Sequence, residues 1–345
     1  MVPTSPEAGS TSRLLALLKA ARGRRVVVLG DLIADEFVSG RIARVSREAP
    51  VLILEYDSTE ILPGGAGNAA ANVAALGGVA HLVALAGRDD AGRRVLAACP
   101  SRVDTRDVVR PTGYHTPVKT RILAGGVHSV KQQVVRIDRR TREPIAEAWR
   151  EAWLRSAQRA LAGADAVLIS DYGSGLLSPA VVARLVAPLR AAGRTVPVLV
   201  DSRYDLLRFR GLTACTPNQS EVEQALGVTI GDAPRALERA GRAILARTRM
   251  KAVLVTRGSR GMALFEPGVP TQHVPIYGSD EIADVTGAGD TVMATLTLAL
   301  AAGASMPEAA QLANYAGGLV VMKRGTATVS ARELARAVTA DAADR

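Results

Sequence analysis

Aromatic side chains make up only 3% of the 345 residues, and the chain has just two cysteines and four histidines. Cys99 and Cys215 stand far apart without CxxC spacing, which excludes a disulfide framework and a thiolate zinc site and makes a reducing cytoplasm the expected setting. His81, His115, His128 and His273 form neither HExxH nor His-x-His, so a histidine-held metal is not expected. With so few rings, the core has to be built from Ala, Val and Leu. No stretch reaches about 18 uninterrupted apolar residues and the first ten residues carry no apolar run of signal-peptide length, so neither a membrane span nor a secreted protein is expected. Lysine is scarce as well: it occurs only at 19, 119, 131, 251 and 323, so 43 basic residues minus 5 leaves 38 arginines. The net charge of +10 is spread along the chain and lacks interleaved stacking aromatics, which argues against nucleic acid and leaves room for cations recruited to phosphorylated ligands. The densest basic run, Arg136 to Arg142, reads as a solvated surface stretch.

The rest is ordinary for a soluble globular chain, with 48% hydrophobic and 22% charged residues. Residues 1–24 read as a flexible start with a short helix over 12–21, residues 25–340 as a single domain, and 341–345 as a tail. A buried strand over 25–29 ends in Gly30-Asp31. Charges interleave the apolar residues at 51–56, 60–62, 116–123 and 132–138, predicting half-exposed strands outside the central sheet. These form a small lid drawn from about 40–62 and 115–138, with a face that can cover a ligand or pair with a second subunit. From residue 145 onward strand and helix alternate, with strands at 166–170, 196–200, 213–216 and 252–256. Continuous apolar strands between helices predict an α/β fold with a mostly parallel sheet covered on both faces.

Several motifs carry chemistry. Asp284-Val-Thr-Gly-Ala-Gly-Asp290 leads into a helix over 289–302, so the N–H groups of Gly287, Ala288 and Gly289 lie at a helix N-terminus where an anion can approach. Asp290 then either accepts a proton from a hydroxyl attacking a phosphate or merely complements the helix dipole. Asp31 and Asp35 follow a strand end, where open α/β sheets bind ligands. Gly64, Gly65 and Gly67 let backbone approach a sugar that Asn68 can both donate to and accept from. Gly65-x-Gly67-x-x-Ala70 also fits a dinucleotide-binding fingerprint, but Glu55, Asp57 and Glu60 spoil the preceding strand for that role. Asn218-x-x-Glu221 is either a Mg²⁺ organiser or a capping box. Thr256-Arg257-Gly258 ends another strand and can meet nucleotide phosphates. Asn314 lies among small residues that either make room for adenine or permit tight helix packing.

Taken in order, Gly64-Gly-Ala-Gly-Asn68, Asn218-x-x-Glu221 and Asp284-x-Thr-Gly-Ala-Gly-Asp290 resemble the ribokinase-like (PfkB) carbohydrate kinases. Arg44-Val-Ser-Arg-Glu-Ala-Pro50, Ser170-Asp-Tyr172, Thr216-Pro-Asn-Gln-Ser-Glu221 and Gly325-Thr-Ala-Thr-Val-Ser330 are most similar to the D-glycero-beta-D-manno-heptose 7-phosphate kinase branch. The resemblance covers about residues 25 to 338. It implies a three-layer α/β/α sandwich with a β lid, a homodimer through that lid, and transfer of the ATP γ-phosphate to a sugar with Mg²⁺. In the heptose branch the acceptor is the anomeric hydroxyl of the 7-phosphate. The resemblance further implies that Asp290 is the base and Gly287, Ala288 and Gly289 the anion hole. It makes Asp35, Gly64, Gly65 and Asn68 sugar contacts, Asn218 and Glu221 the Mg²⁺ and phosphate organisers, and Asp284, Thr286 and the loop around Gly325 the border of a K⁺ site. Two departures bear on the acceptor. Ser174-Gly175 stands where the branch usually has Lys-Gly, and Asp201-Ser-Arg203 where it usually has Asp-Pro-Lys, which leaves Arg203 to contact a substrate phosphate. The hairpin through Ala124 to Val130 is longer than usual. With no HxGH motif in the chain, nucleotidyl transfer is expected on a separate protein. Other sugars as acceptor, and a non-catalytic sugar-phosphate sensor, remain alternatives.

Overall fold

The computed structural model describes residues 10–126, 131–140, 144–278, 284–323 and 325–344; Val127 to Val130 of the expected hairpin, and Thr141 and Arg142 of the basic run, lie outside them. The chain begins with α1 (Thr11–Ala20), β1 (Arg25–Gly30), β2 (Leu32–Val45), β3 (Leu52–Gly65) and α2 (Ala66–Ala75). Then come β4 (Val79–Val83), α3 (Asp90–Ala97), β5 (Val103–Asp104), β6 (Val118–Gly125) and β7 (Gln132–Arg139). The alternating part runs α4 (Glu147–Leu161), β8 (Ala166–Asp171), α5 (Pro179–Ala191), β9 (Val198–Ser202), β10 (Ala214–Cys215), α6 (Gln219–Leu226), α7 (Pro234–Thr248) and β11 (Ala252–Thr256). It closes with β12 (Met262–Phe265), β13 (Gln272–Val274), α8 (Ala288–Ala301), α9 (Met306–Val320) and α10 (Ala331–Asp344). No helix among the described residues is long and apolar enough to cross a membrane.

Among the described residues, nine strands form one sheet in the order β13-β12-β11-β10-β9-β8-β1-β4-β5, parallel from β11 across to β5 and antiparallel at the β12–β13 edge. Its centre, β1, is a continuous apolar strand because both faces are covered. Val26 and Val28 point into a core shared with α1, α2, α8, α9 and α10, while Val27 and Leu29 point into one shared with α4, α5 and α7. This is the period-2 alternation of a strand feeding two layers of helices. Parallel strands of this kind end together, so the turns after β8, β9, β10 and β11 gather at one edge.

The other four strands form the lid, in the order β3-β2-β6-β7. It differs from the expected one in two respects. The strands predicted at 51–56 and 60–62 are one strand, β3, paired antiparallel with β2 from Leu32↔Gly65 to Val45↔Leu52 through two irregularities of register. β2 itself went unpredicted because Asp31, Asp35 and Glu36 break the apolar pattern, yet residues 31–35 are buried. α10 continues through Asp344, past the point where a tail is expected from residue 341.

Close packing shows at Gly241, where α7 crosses β12: a Cβ there would overlap the Phe265 ring. Alanine gains up to about 1 kcal/mol in helix propensity, but overpacking a filled core costs about 1–3 kcal/mol. Gly241→Ala is therefore expected to lower the thermal midpoint by up to about 3 °C. A higher midpoint would mean that the ring moves aside freely.

Candidate active site

Gly287 caps the start of α8, and its φ of 76° is a left-handed conformation suited to glycine. The Ala288 N–H bonds back to the Val285 carbonyl (3.2 Å), so it is not the open donor the motif suggests. The amides of Gly287 and Gly289 make no hydrogen bond among the described residues. One turn in, Asp290 is 4% exposed, and its carboxylate is held from two sides. Asn68 Nδ2 donates to one oxygen (2.8 Å) and the Tyr172 hydroxyl to the other (3.0 Å). Burial drives the Asp290 pKa up to about 6, and facing Asp35 adds to this; the two hydrogen bonds and Lys119 work against it.

Asn68 belongs to a buried relay. Thr291 Oγ1 donates to Asn72 Oδ1 (3.1 Å), Asn72 Nδ2 to Asn68 Oδ1 (3.1 Å), and Asn68 Nδ2 to Asp290. Asn68 also donates to the Gly287 carbonyl at 3.4 Å. Its amide is thus engaged with the α8 terminus, whereas the motif suggested an amide offered to a sugar. The glycines before it are required by close approaches of the chain to itself. A Cβ on Gly64 would overlap the Asp35 carboxylate, and one on Gly65, at φ 57°, the Asp31 carbonyl.

The two strand-end aspartates take different partners. Asp31 accepts from the Tyr172 N–H (2.8 Å), the Ser174 N–H (3.3 Å) and Ser174 Oγ (2.5 Å), and burial lifts its pKa to about 6 against those bonds. Asp35 forms a buried ion pair with Arg121 (2.6 Å), whose guanidinium lies 5.2 Å from the Phe37 ring centroid. Lys119 sits 4.7 Å over the Tyr172 ring, and burial lowers its pKa. Neither Lys119, Arg121 nor Tyr172 stood out as a site residue in the sequence.

Two cavities flank this cluster. One, of about 390 Å³, is lined by Gly287, Ala288, Gly289 and Asp290 and by Asn218, Glu221, Thr256, Gly258 and Asn314. Arg257 is not in its wall; its guanidinium lies 3.4 Å from the Gln219 side chain. The other, of about 370 Å³, is lined by Asp31, Lys119, Arg136, Arg139 and Arg140. Tyr172 and Arg203 border both. Arg136, Arg139 and Arg140, from the run read as solvated surface, are exposed and also border this second cavity. Asp35, Gly64, Gly65, Asn68, Asp284 and Thr286 line neither cavity.

Asn218 and Glu221 form a capping box at the start of α6: Asn218 Oδ1 accepts from the Glu221 N–H and Glu221 Oε2 from the Asn218 N–H, both at 2.9 Å. Both also face the first cavity, and burial raises the Glu221 pKa. Asp201, at the end of β9 in the same wall, is pushed well upward by burial and then by Glu221, Asp290 and Asp171. No group of three metal-ligating side chains occurs among the described residues. The Glu221 and Asp201 carboxylates in this wall are the kind of oxygen donors that suit a Mg²⁺ ion keeping several waters. Asp284 ties two loops together, accepting from the N–H groups of Thr286 (2.9 Å) and Gly325 (3.0 Å).

A family model described as pfkB family carbohydrate kinase matches residues 24–333. The chain is 44% identical over 325 residues to the bifunctional protein HldE of Caulobacter vibrioides, covering 93% of this chain and 65% of that protein. It is 39% identical over 331 residues to HldE of Trichlorobacter lovleyi, covering 95% and 66%. The chain thus spans just under two thirds of the length of these relatives. Among solved structures it resembles Arabidopsis thaliana ribokinase complexed with ribose and ATP, with a TM-score of 0.68 at 21% identity over 92% of this chain and 99% of that one. Phosphofructokinase-2 from Escherichia coli in complex with fructose-6-phosphate superposes with a TM-score of 0.70 at 17% identity, again over 92% and 99%. The fold is ribokinase-like, and over residues 24–333 the chain belongs to the pfkB family of carbohydrate kinases, phosphotransferases whose acceptor is an alcohol group.

Proposed function

We propose that this kinase transfers the γ-phosphate of ATP to a sugar that already carries a phosphate, specifically to the anomeric hydroxyl of D-glycero-D-manno-heptose 7-phosphate, giving the 1,7-bisphosphate. The observation that carries this reading is the cavity walled by Lys119, Arg136, Arg139, Arg140 and Arg203, which meets the glycine-lined cavity at Tyr172 and Arg203. Glu36 pairs with Arg139, and Asp138 with Arg136 and Arg140. With Asp31 these make three carboxylates against five cations, an excess of positive charge suited to a phosphate dianion. Arg203 stands where the heptose branch usually carries one lysine, while Ser174 stands where it carries the other. The 44% identity to a protein named HldE supports the heptose acceptor.

In this reading ATP occupies the glycine-lined cavity and Mg²⁺ beside Glu221 neutralises phosphate charge there. The Gly287 and Gly289 amides donate to the transferring phosphoryl oxygens, and Asp290 removes the proton of the acceptor hydroxyl. Asn68 orients that carboxylate. Asp284 and the Gly325 loop border a K⁺ site, supported by the buried Thr326 hydroxyl, which has no hydrogen-bond partner among the described residues. Exposed apolar residues on the lid, among them Ile42, Val45, Tyr56 and Ile137, support pairing of two copies through it.

ATP consumption with Mg²⁺ across heptose 7-phosphate, ribose, fructose, fructose 6-phosphate and adenosine tests the acceptor. Turnover confined to heptose 7-phosphate is expected; turnover with unphosphorylated sugars alone would refute the role given to the cationic cavity. A base with a pKa of about 6 predicts that kcat falls as pH drops through 6.

Asp290→Asn is expected to cut turnover at least ~100-fold while raising stability at pH 7.5. The folded pKa of Asp290 lies above its unfolded value of 3.8, so the native state binds the proton more tightly and loses stability as pH rises through the window from 3.8 to 6. Removing the charge recovers up to about 3 kcal/mol at neutral pH and little below pH 4. Melting curves of both proteins across that range check the sign, and a lower midpoint for the variant at pH 7.5 would contradict it.

A further inference from the structure

Asp290 is gripped by two donors of different character. Asn68 is locked in the core by Asn72 and Thr291 and holds the carboxylate from the α2 side. Tyr172 comes from the opposite side, in the turn that follows β8, and belongs to the walls of both cavities. Three contacts fix it. Its N–H is bonded to Asp31, the same carboxylate holds Ser174 two residues on, and the Lys119 ammonium lies over its ring. None of these contacts is needed for a tyrosine that merely fills space. Together they aim one hydroxyl at one oxygen of the candidate base.

We propose that Tyr172 is the positioning residue for Asp290, its hydroxyl holding the carboxylate at the junction of the two cavities while Asp31, through the 172–174 turn, holds Tyr172. This rests on the reading of Asp290 as the base. The assignment gives Asp31 a part other than the sugar contact its place after β1 suggests. A phenol donating to a carboxylate favours the charged form, and burial keeps this phenol protonated, well above its ordinary range. The other charged groups around Asp290 are Asp35 from β2, Lys119 from β6 and Asp201 from β9. Asp35 and Asp201 oppose ionisation of Asp290 and Lys119 supports it, so loss of the Tyr172 donor leaves Asn68 and Lys119 as its supports.

The test is the titration of the Asp290 carboxyl carbon by NMR in the full chain labelled with ¹³C-aspartate, its signal assigned by its absence in Asp290→Asn. In Tyr172→Phe the midpoint is expected to rise by about one pH unit, a roughly tenfold loss of ionised base below the midpoint. An unchanged or lower midpoint overturns the inference. If Tyr172→Phe does not fold, Asp31→Asn is expected to move the midpoint in the same direction, and no movement there is equally fatal. The titration requires no turnover. A raised midpoint in a protein that phosphorylates nothing would uphold the hold of Tyr172 on Asp290 but remove the base reading it rests on; an unmoved midpoint in an active kinase would overturn that hold and leave the base reading untouched.

Discussion

The negative charge of Asp290 is held where the fold disfavours it, and much of the surrounding structure answers to that. A carboxylate 4% exposed with Asp35 and Asp201 nearby would simply take up a proton if burial alone acted. Two hydrogen bonds, a lysine and a helix N-terminus oppose that outcome, and the balance settles near pH 6. A base that ionises just below neutrality is both available and strong enough to take a hydroxyl proton. The stability lost by keeping it charged is recovered in the packed layers of Ala, Val and Leu on both faces of the main sheet.

The same constraint organises the lid. β2 carries Asp35 toward Asp290, and the Arg121 guanidinium from β6 neutralises it at 2.6 Å. Without that pair, a second carboxylate beside the base would raise its pKa further. Breaking such a buried pair leaves one charge without its partner, which is more damaging than replacing both. The strands of the smaller sheet thus contribute to the electrostatics around Asp290.

How much of this could be read from the sequence depended on distance along the chain. The α8 terminus, the glycines before α2 and the Asn218–Glu221 pair were legible because each is a local device whose residues are neighbours in sequence. For Asn218 and Glu221 both weighed readings survive: they form the capping box and they also face the cavity. The contacts that aim Asp290 were not legible. Asn68 lies 222 residues from it and Tyr172 118 residues, and no periodicity links such positions. Arg136, Arg139 and Arg140 are exposed, as the basic run suggests, but that they also border a cavity depends on tertiary packing that no local pattern carries. β2 was missed for the reason that makes it useful: its acidic residues interrupt the pattern that marks a strand.

One feature of connectivity ties these together. β1 ends at Gly30 and β2 begins at Leu32, so a single residue, Asp31, joins the main sheet to the lid, and that residue also grips the turn carrying Tyr172. Asp31 thus serves both the passage between the two sheets and the turn that carries Tyr172, so a substitution there reaches the smaller sheet and the surroundings of Asp290 at once.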